Sequence, residues 1–475
     1  MASKQEQEQK LHLTLLVDKE KNRVVVAEAN GDFVDTLFSF LTLPLGTITR
    51  LVFKNQQEQE TFGCIRNLYK SVENSSDEVF FNRICKKMLL YPRNDSESYC
   101  QKLKVNVDDS EPTKYFICST CVEGKGLLST FAGASCSCGK LMDKEIKLHR
   151  EFSNSDCVFV EKQTLYLIFD DLKVLRSFPG NTLHQLQQLG YKNINKLTHM
   201  SAIVGLNEIL DLLRKALTSK SPLSDVFLAN SKFPCKCTLS SRTPLSDVPS
   251  TTTVMALKVT ISKSKKKIVY AEVERDFVDF LFSFLTAPIG TIVEQLNGNY
   301  CIGCMNNLKK SVNELYFSCL IVIIPLGTPI RNPKVTPQFG CVKQPLKKLC
   351  EQDAPTYRYC NNGVVIDYSY QKSRAMNLFD PRSPYGTIES AVGFVTWKSK
   401  FIVWDNLQVT PLENNTSSIA FLQKLNIPLD DLEEHEVRIG KKEALYLLGA
   451  SLTSNGAALT EALFHLIKVP KEETN

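Results

Sequence analysis

The sequence predicts an α+β fold in two homologous lobes, each a mixed or antiparallel sheet with packed helices. Three observations predict it: one apolar motif occurs twice, the strand-like and helix-like segments around it recur in the same order, and a Pro/Ser/Thr-rich segment separates the two copies. The length of 475 residues agrees with this division, because it exceeds one ordinary hydrophobic core and suits several domains of about 100–200 residues.

The composition is typical of a globular chain. Hydrophobic residues make up 43% and charged residues 23% of the sequence, and the net charge of +6 is too mild an excess to indicate a nucleic-acid partner. The first ten residues lack the apolar region of a secretory signal. The longest apolar run, 315–324, falls short of the roughly 20 residues that a membrane span needs. We therefore expect a cytosolic or nuclear protein in which residues 315–324 form a buried strand.

The internal repeat is the strongest signal in the chain. Residues 32–48 read DFVDTLFSFLTLPLGTI and residues 276–292 read DFVDFLFSFLTAPIGTI, identical at 14 of 17 positions. Further matches follow in the same order and pair 63–72 with 303–312, 169–174 with 404–409, and 205–217 with 440–452. Such self-similarity predicts a tandem duplication. We place the first lobe at 11–230, a linker at 231–255 and the second lobe at 256–470.

Each predicted lobe begins with a hairpin, since two short apolar-rich segments flank a charged turn. The strands are 11–17 and 23–28 in the first lobe, and 257–262 and 268–273 in the second. The basic run 263–267 lies at the second turn. We interpret it as a solvated hairpin tip rather than as a phosphate-binding or nuclear-targeting segment.

A helix is predicted after each hairpin, at the repeated motif. The first copy has apolar residues at the helical spacing i, i+3, i+4, i+7, namely Val34, Leu37, Phe38 and Leu41. We predict that Asp32 and Asp276 cap the N-termini of the two helices and that Pro44 and Pro288 end them. Thr47 and Thr291 are predicted to cap a second, short helix.

A strand and two helices are predicted to close each lobe. The strands are 165–169 and 401–404, and the final short helices are 223–228 and 459–467. Between them in the first lobe lies a helix whose apolar stripe comprises Leu206, Ile209, Leu210, Leu213 and Leu217. Strands followed by helices are typical of α+β lobes, and the pattern leaves the strand order open.

A cysteine cluster in the first lobe carries the clearest chemistry. Cys118 and Cys121 form one close pair, and Cys136 and Cys138 form a second pair after fourteen intervening residues, with Gly139 directly behind it. Two close thiolate pairs joined by a short loop are typical of a tetrahedral zinc site. The sequence therefore predicts a structural zinc ion in a small zinc knuckle inserted in the first lobe.

Two features favour the alternative, which is four buried free thiols. The second pair has C-x-C rather than C-x-x-C spacing, and the second lobe keeps only Cys360 at the corresponding place. A metal is therefore not needed for the lobe fold in general. A catalytic zinc is disfavoured, because such a site has an open coordination position and usually a histidine or carboxylate ligand.

The repeated polar residues have simpler structural interpretations. Cys64 and Cys304 precede an amphipathic helix, where a thiol can be activated, but none of the six histidines recurs at an equivalent place as a base. We interpret both as small buried residues. Asp35 and Asp279 each follow another aspartate by three residues, and we interpret these carboxylate pairs as helix caps and dipole partners.

The motifs present predict no catalytic and no cofactor-binding residue. The chain has no P-loop, dinucleotide-binding, serine-hydrolase or HExxH metalloprotease motif. We expect a non-catalytic interaction or scaffold protein with a protein partner, without a membrane or nucleic acid. Two alternatives stay open. One is an enzyme or small-molecule binder using a cleft between the lobes, and the other is nucleic-acid binding through a zinc ribbon.

The two copies of the motif, at 32–48 and 276–292, together with the cysteine cluster at 118–138, resemble a plant family known as domain of unknown function 674. The resemblance extends along nearly the whole chain. It implies a plant source and a multi-copy lineage, and it implies neither an activity nor functional residues. The second lobe departs from the first by lacking the cysteine cluster, which argues against a metal-dependent role for that lobe.

Overall fold

A computed structural model describes most of the chain. The described residues are 10–53, 62–121, 126–149, 157–228, 254–317, 329–341, 343–352, 355–360, 363–366, 373–383, 386, 391, 393–396, 400–412, 423 and 426–467. We call residues 10–228 the first half and residues 254–467 the second half. Nearly all of the predicted linker lies outside the described residues. No described helix is long and apolar enough to cross a membrane.

The described residues form eighteen strands. In chain order they are β1 (Leu11–Asp18), β2 (Arg23–Ala29), β3 (Tyr115–Ile117), β4 (Leu127–Leu128), β5 (Ala134–Ser135), β6 (Leu141–Met142), β7 (Lys144–His149), β8 (Tyr166–Phe169), β9 (Val174–Arg176), β10 (Leu197–Val204), β11 (Met255–Ser262), β12 (Lys267–Val273), β13 (Tyr357–Cys360), β14 (Gly363–Ile366), β15 (Arg374–Leu378), β16 (Lys400–Trp404), β17 (Val409–Leu412) and β18 (Leu432–Ile439).

Thirteen α-helices lie in the same described part of the chain. They are α1 (Gly31–Ser39), α2 (Leu45–Ile48), α3 (Ile65–Asn74), α4 (Arg83–Leu90), α5 (Glu97–Cys100), α6 (Pro179–Gln188), α7 (Leu206–Thr218), α8 (Pro222–Phe227), α9 (Arg275–Thr286), α10 (Ile289–Leu296), α11 (Met305–Phe317), α12 (Lys441–Thr453) and α13 (Ala458–Leu463). The predicted α+β fold is confirmed.

The first half forms a five-stranded antiparallel sheet in the order β10-β1-β2-β8-β9. β1 alternates apolar and polar residues, and its Leu11, Leu13 and Leu15 are buried on the inner face. A bulge shifts the register of β1 against β2 between Leu16 and Val17. Both predicted hairpin strands are confirmed, and each ends one residue later than predicted.

The second half forms a sheet of the same order and polarity, β18-β11-β12-β16-β17. Its hairpin has a bulge between Thr260 and Ile261, the positions that the sequence repeat aligns with Leu16 and Val17. The long edge strands β10 and β18 pair along eight residues with β1 and β11, respectively. The two sheets therefore share their strand order, their strand directions and the position of the β-bulge in the hairpin.

The repeated motif forms the centre of the hydrophobic core. Every residue of 33–49 and of 277–293 is buried, so these segments, which include α2 and most of α1 and α9, are surrounded by protein on all sides. Their apolar residues belong to one continuous cluster that takes members from both halves. Their few polar side chains are satisfied inside the protein, as where the Ser39 hydroxyl donates to Thr36 O at 2.7 Å and the Ser283 hydroxyl donates to Phe280 O at 2.6 Å.

The two copies of the motif contact each other directly. The Leu45 N–H donates to Ala287 O at 3.1 Å, and the Ile289 N–H donates to Leu43 O at 3.0 Å. Each helix start is preceded by a proline, and the two prolines form an isolated antiparallel bridge. The two bonds are reciprocal, since each joins the residue after one proline to the residue before the other.

In each half, one helix packs against the five-stranded sheet of the other half. α3 of the first half packs on β17, where Ser71 Oγ accepts from the Val409 N–H at 2.9 Å. α11 of the second half packs on β9, where Ser311 Oγ accepts from the Val174 N–H at 2.9 Å. The core under each five-stranded sheet is therefore completed by the opposite half, which the sequence did not predict.

A third sheet is shared by both halves. Its six strands lie in the order β3-β7-β14-β13-β15-β4, with three strands from each half. The β7–β14 and β15–β4 pairs are parallel and join the halves, whereas the pairs within one half are antiparallel. This mixed sheet carries the cysteine cluster at one edge.

All four predicted helix caps are wrong in detail. The N-cap residues of α1 and α9 are Asn30 and Glu274, so Asp32 and Asp276 lie inside the first turn. Thr47, predicted as a cap, instead donates its hydroxyl to a buried carbonyl, Pro92 O, at 3.2 Å. Thr291 does the same to the carbonyl of Pro333. Each of the two threonine hydroxyls thus satisfies a backbone carbonyl that is distant in sequence and that only the tertiary fold brings close.

Two apolar predictions also need correction. The start of the predicted strand 315–324 is helical, because Leu315 and Phe317 belong to the end of α11, and residues 318–324 lie outside the described residues. In α7, Leu206 is exposed and Leu210 is half-buried, whereas Leu212 is fully buried. The inward face of α7 is thus rotated relative to the predicted stripe.

Candidate metal centre

Short strands position the four predicted cysteines. Cys118 directly follows β3, and the Cys121 N–H donates back to its carbonyl at 3.2 Å, which closes a tight turn. Cys136 directly follows β5, and its N–H donates to Lys140 O at 2.8 Å across the β5–β6 hairpin. Gly139 has a φ of 82°, a left-handed conformation that lets the hairpin turn sharply after Cys138.

The four sulfur atoms converge on one point. The Sγ atoms of Cys118, Cys121, Cys136 and Cys138 all lie within 4.8 Å of one another, and those of Cys118 and Cys138 are 3.6 Å apart. A tetrahedral site with Zn–S distances of about 2.3 Å has S–S edges of about 3.8 Å. The C-x-C spacing of the second pair, which favoured free thiols at the sequence level, therefore does not keep its sulfurs out of the cluster.

Two thiols of the cluster have pKa values shifted in opposite directions. The Lys140 backbone N–H lowers the pKa of the Cys138 thiol to about 7. Interaction with Cys138 raises the pKa of Cys121 to about 12, because neighbouring sulfurs disfavour a second negative charge. A bound cation removes this repulsion and lets all four thiols ionise.

The cluster is built into the contact between the halves. Cys118 and Cys136 are buried and pack with Phe116, Met142 and Phe379, of which Phe379 comes from the second half. Cys138 is exposed and Cys121 is half-buried, so one side of the cluster faces solvent. A metal can thus enter from solvent while the opposite side stays fixed by apolar packing.

The repeated cysteines Cys64 and Cys304 are buried hydrogen-bond donors. Their Sγ atoms donate to Ser454 O at 3.4 Å and to Ser219 O at 3.2 Å. Burial raises the pKa of Cys64 to about 11, so its thiol stays protonated at neutral pH. This agrees with their interpretation as small buried residues at helix starts.

The repeated carboxylates Asp35 and Asp279 have a role that the sequence did not predict. Neither caps a helix: Asp35 Oδ1 accepts from the Phe159 and Val160 N–H groups at 3.0 and 2.9 Å. Asp279 Oδ1 likewise accepts from the backbone N–H groups of residues 394 and 395, at 2.7 and 3.1 Å. Burial raises the pKa of both carboxyls to about 7. They fix a connecting segment onto the central helix and are enclosed by protein.

The sequence patterns predicted no role for a second pair of buried aspartates, Asp170 and Asp405. Asp170 accepts from the N–H and hydroxyl of Ser224 at 2.9 and 2.8 Å. Asp405 accepts from the N–H and hydroxyl of Thr460 at 2.8 and 2.9 Å. The only available signal was their equivalent position in the repeat, and both join the last short helix of each half to its sheet.

Comparison with known proteins identifies the same family that the repeated motif and the cysteine cluster resemble. No curated protein and no solved structure matches the chain. The sequence profile of a family described as "Protein of unknown function (DUF674)" matches residues 7–469, which is nearly the whole chain. The chain belongs to the DUF674 family.

Proposed function

We propose that this chain is a non-catalytic interaction protein whose four clustered cysteines bind a structural zinc ion. The observation that carries the proposal is the convergence of Cys118, Cys121, Cys136 and Cys138, with all four Sγ atoms within 4.8 Å of one another. Four thiolates complete the coordination of zinc, so no position is left for a substrate or an activated water. Such a metal stabilises structure and carries out no reaction.

Zinc fits this donor set better than other common cations. Sulfur donors in tetrahedral arrangement suit zinc or iron–sulfur centres, whereas calcium and magnesium require oxygen ligands. The thiols must stay reduced to bind metal, which suits a protein of the cytosol or nucleus. The proposal includes the origin of the fold: lobes at 11–230 and 256–470 that arose by tandem duplication, with the cluster added to the first.

The repeated polar residues support a non-catalytic role. Cys64 is buried and protonated, Asp35 and Asp279 bind backbone N–H groups, and Asp170 and Asp405 bind the terminal short helices. Each of these groups has a structural partner, and all five side chains are buried. The features that the two copies share therefore serve the fold, and the surface is left for binding a protein partner.

Metal analysis of the purified full-length chain tests the proposal. We expect about one zinc per wild-type chain, loss of that zinc in Cys136→Ser, and retention in the control Cys301→Ser, whose half-buried thiol lies outside the cluster. Chelation should lower the thermal midpoint of the wild type and leave that of Cys136→Ser unchanged. A wild-type chain purified with zinc present that holds no stoichiometric metal would refute the zinc site.

A further inference from the structure

A cleft of about 390 Å³ is lined by residues of both halves and by none of the four clustered cysteines. One wall comes from residues 93–115 and the other from residues 336–357, and Tyr115 and Tyr357 of the shared sheet both line it. The two tyrosine rings lie 6.1 Å apart between their centroids. This volume falls in the range of small-molecule sites, which is about 300–1,000 Å³.

Arg93 is a fixed cation in this cleft. One nitrogen of its guanidinium donates to Thr130 O at 2.5 Å, and the guanidinium lies 4.7 Å from the centre of the Phe131 ring. The Arg93 carbonyl accepts from the hydroxyl of Thr336 in the second half at 2.9 Å. Burial lowers the pKa of Arg93, and the charge of Glu97 in the same cleft partly offsets this effect. The two groups form no salt bridge in the described part of the chain, and a partly desolvated guanidinium of this kind favours a direct contact with an incoming anion.

Glu97 provides a fixed negative charge in the same cleft. Its carboxylate accepts from the Thr113 N–H at 2.7 Å, from the Thr113 hydroxyl at 2.5 Å and from the Gln101 amide at 2.8 Å. Asp95 adds a second carboxylate to the lining. The described lining residues thus carry charges of both signs, which a ligand with only a negative charge would not match.

A strained residue supports one wall. Gln338 is 1% exposed and has a φ of 80°, although it is not a glycine. Its side-chain oxygen accepts from the Thr130 hydroxyl at 2.9 Å, and its amide donates to the carbonyl of Phe379. Left-handed backbone is strained in a residue with a Cβ, and such strained residues concentrate at active and ligand sites. The hydrogen bonds hold this wall in one conformation next to Arg93.

We propose that this cleft binds a small zwitterion, an amino acid with an apolar or aromatic side chain. The ligand carboxylate would pair with Arg93, its ammonium group with the carboxylates of Glu97 and Asp95, and its side chain would contact Tyr115 and Tyr357. The rigid placement of both charges lowers the ordering cost of binding, and separate charge sites select for a ligand that carries both. This inference is independent of the metal site.

Calorimetric titration of the full-length chain with L-phenylalanine and L-leucine tests the proposal. We expect saturable binding of at least one of the two. The corresponding amine and the corresponding carboxylic acid, each lacking one charge, should bind at least about tenfold more weakly, because each forms only one of the two charge–charge contacts. Equal binding of the acid, or no saturation by either amino acid, would overturn the proposal.

Two variants separate binding from folding. Arg93→Gln should weaken amino-acid binding about tenfold or more, whereas the control Arg83→Gln, whose side chain is 86% exposed, should bind like the wild type. Glu97→Gln should weaken binding of the amino acid and the amine but not of the acid. If Arg93→Gln fails to fold, the changed selectivity of Glu97→Gln still tests the proposal, because misfolding would weaken the binding of all three ligands together. Unchanged selectivity in a folded Glu97→Gln protein would contradict the assignment.

Discussion

Asp35 and Asp279 show how a short motif can carry an ionisable group into the core. Both carboxyls are buried, with burial raising their pKa from 3.8 to about 7, although each accepts two backbone N–H groups. One oxygen of Asp35 has no hydrogen-bond partner among the described residues. Desolvation of the charged form therefore outweighs the two bonds that favour it.

These two carboxyls predict a specific pH dependence of stability. Between the unfolded-state pKa of 3.8 and the folded-state pKa of about 7, the folded chain holds protons that the unfolded chain has released. The free energy of unfolding should thus fall as pH rises through this interval, by about 1.4 kcal/mol per pH unit for each carboxyl, and level off above it.

Asp35→Asn tests this expectation, because the amide keeps the acceptor oxygen and cannot ionise. The variant should lose one of the two contributions to the slope and become more stable than the wild type above pH 7, as measured by urea unfolding at several pH values. The control Asp211→Asn, at a largely exposed carboxylate, should keep the wild-type slope. A slope that Asp35→Asn leaves intact would mean that Asp35 is ionised in the folded chain.

At the scale of the element, the exchanged helices depend on two glycines. Gly63 and Gly303 precede α3 and α11 with φ values of 54° and 49°. A Cβ atom at Gly303 would overlap the backbone of Ala216 and Leu217, and one at Gly63 would overlap the opposite half at residues 451–452. Only glycine permits both the left-handed conformation and this close approach.

Gly303→Ala should therefore cost about 3 kcal/mol or more of unfolding free energy, because backbone strain adds to displacement of α11 from the sheet of the first half. The matched control is Gly298→Ala, at a φ of 77° with nothing within 4 Å of the added Cβ. This control should cost only about 1–2 kcal/mol. Chemical denaturation measures both, and equal costs would contradict the role of close packing at Gly303.

The elements that sequence patterns predicted well are those determined by local periodicity. The hairpins β1–β2 and β11–β12 and the central helices follow from alternating or helical spacing of apolar residues. The exchange of α3 and α11 could not be predicted in this way. The repeat matches 63–72 with 303–312, so the sequence does not indicate which of the two sheets each helix packs on.

The same limit applies to the sites. Cys118 and Cys121 lie close in sequence to Cys136 and Cys138, so their spacing predicted the cluster that the structure contains. The cleft joins Arg93 to Tyr357, more than two hundred residues later, and β14 and β15 line up beside β7 and β4 only through parallel pairing between the halves. No pattern within a short stretch of sequence predicts contacts between residues so far apart in the chain.

At the scale of the whole molecule, the two halves are interlocked. They share the hydrophobic core around the repeated motif, exchange α3 and α11, and contribute three strands each to the mixed sheet. Separation would expose the central helices, in which every residue of 33–49 and of 277–293 is buried. Each half therefore lacks a complete core of its own, although each has a complete five-stranded sheet.

This interlocking predicts how the chain behaves when it is divided within 229–253, between the two described halves. Residues 1–240 and 241–475, each expressed alone, should lack a cooperative unfolding transition by circular dichroism, because neither can cover its apolar centre. Produced together, they should form a one-to-one complex with a near-native transition. A full-length chain cleaved near residue 240 should remain associated, because the described contacts that join the halves do not need an intact chain there. A cooperative transition in either isolated half would show that the core under its sheet is complete without the exchanged helix of the other.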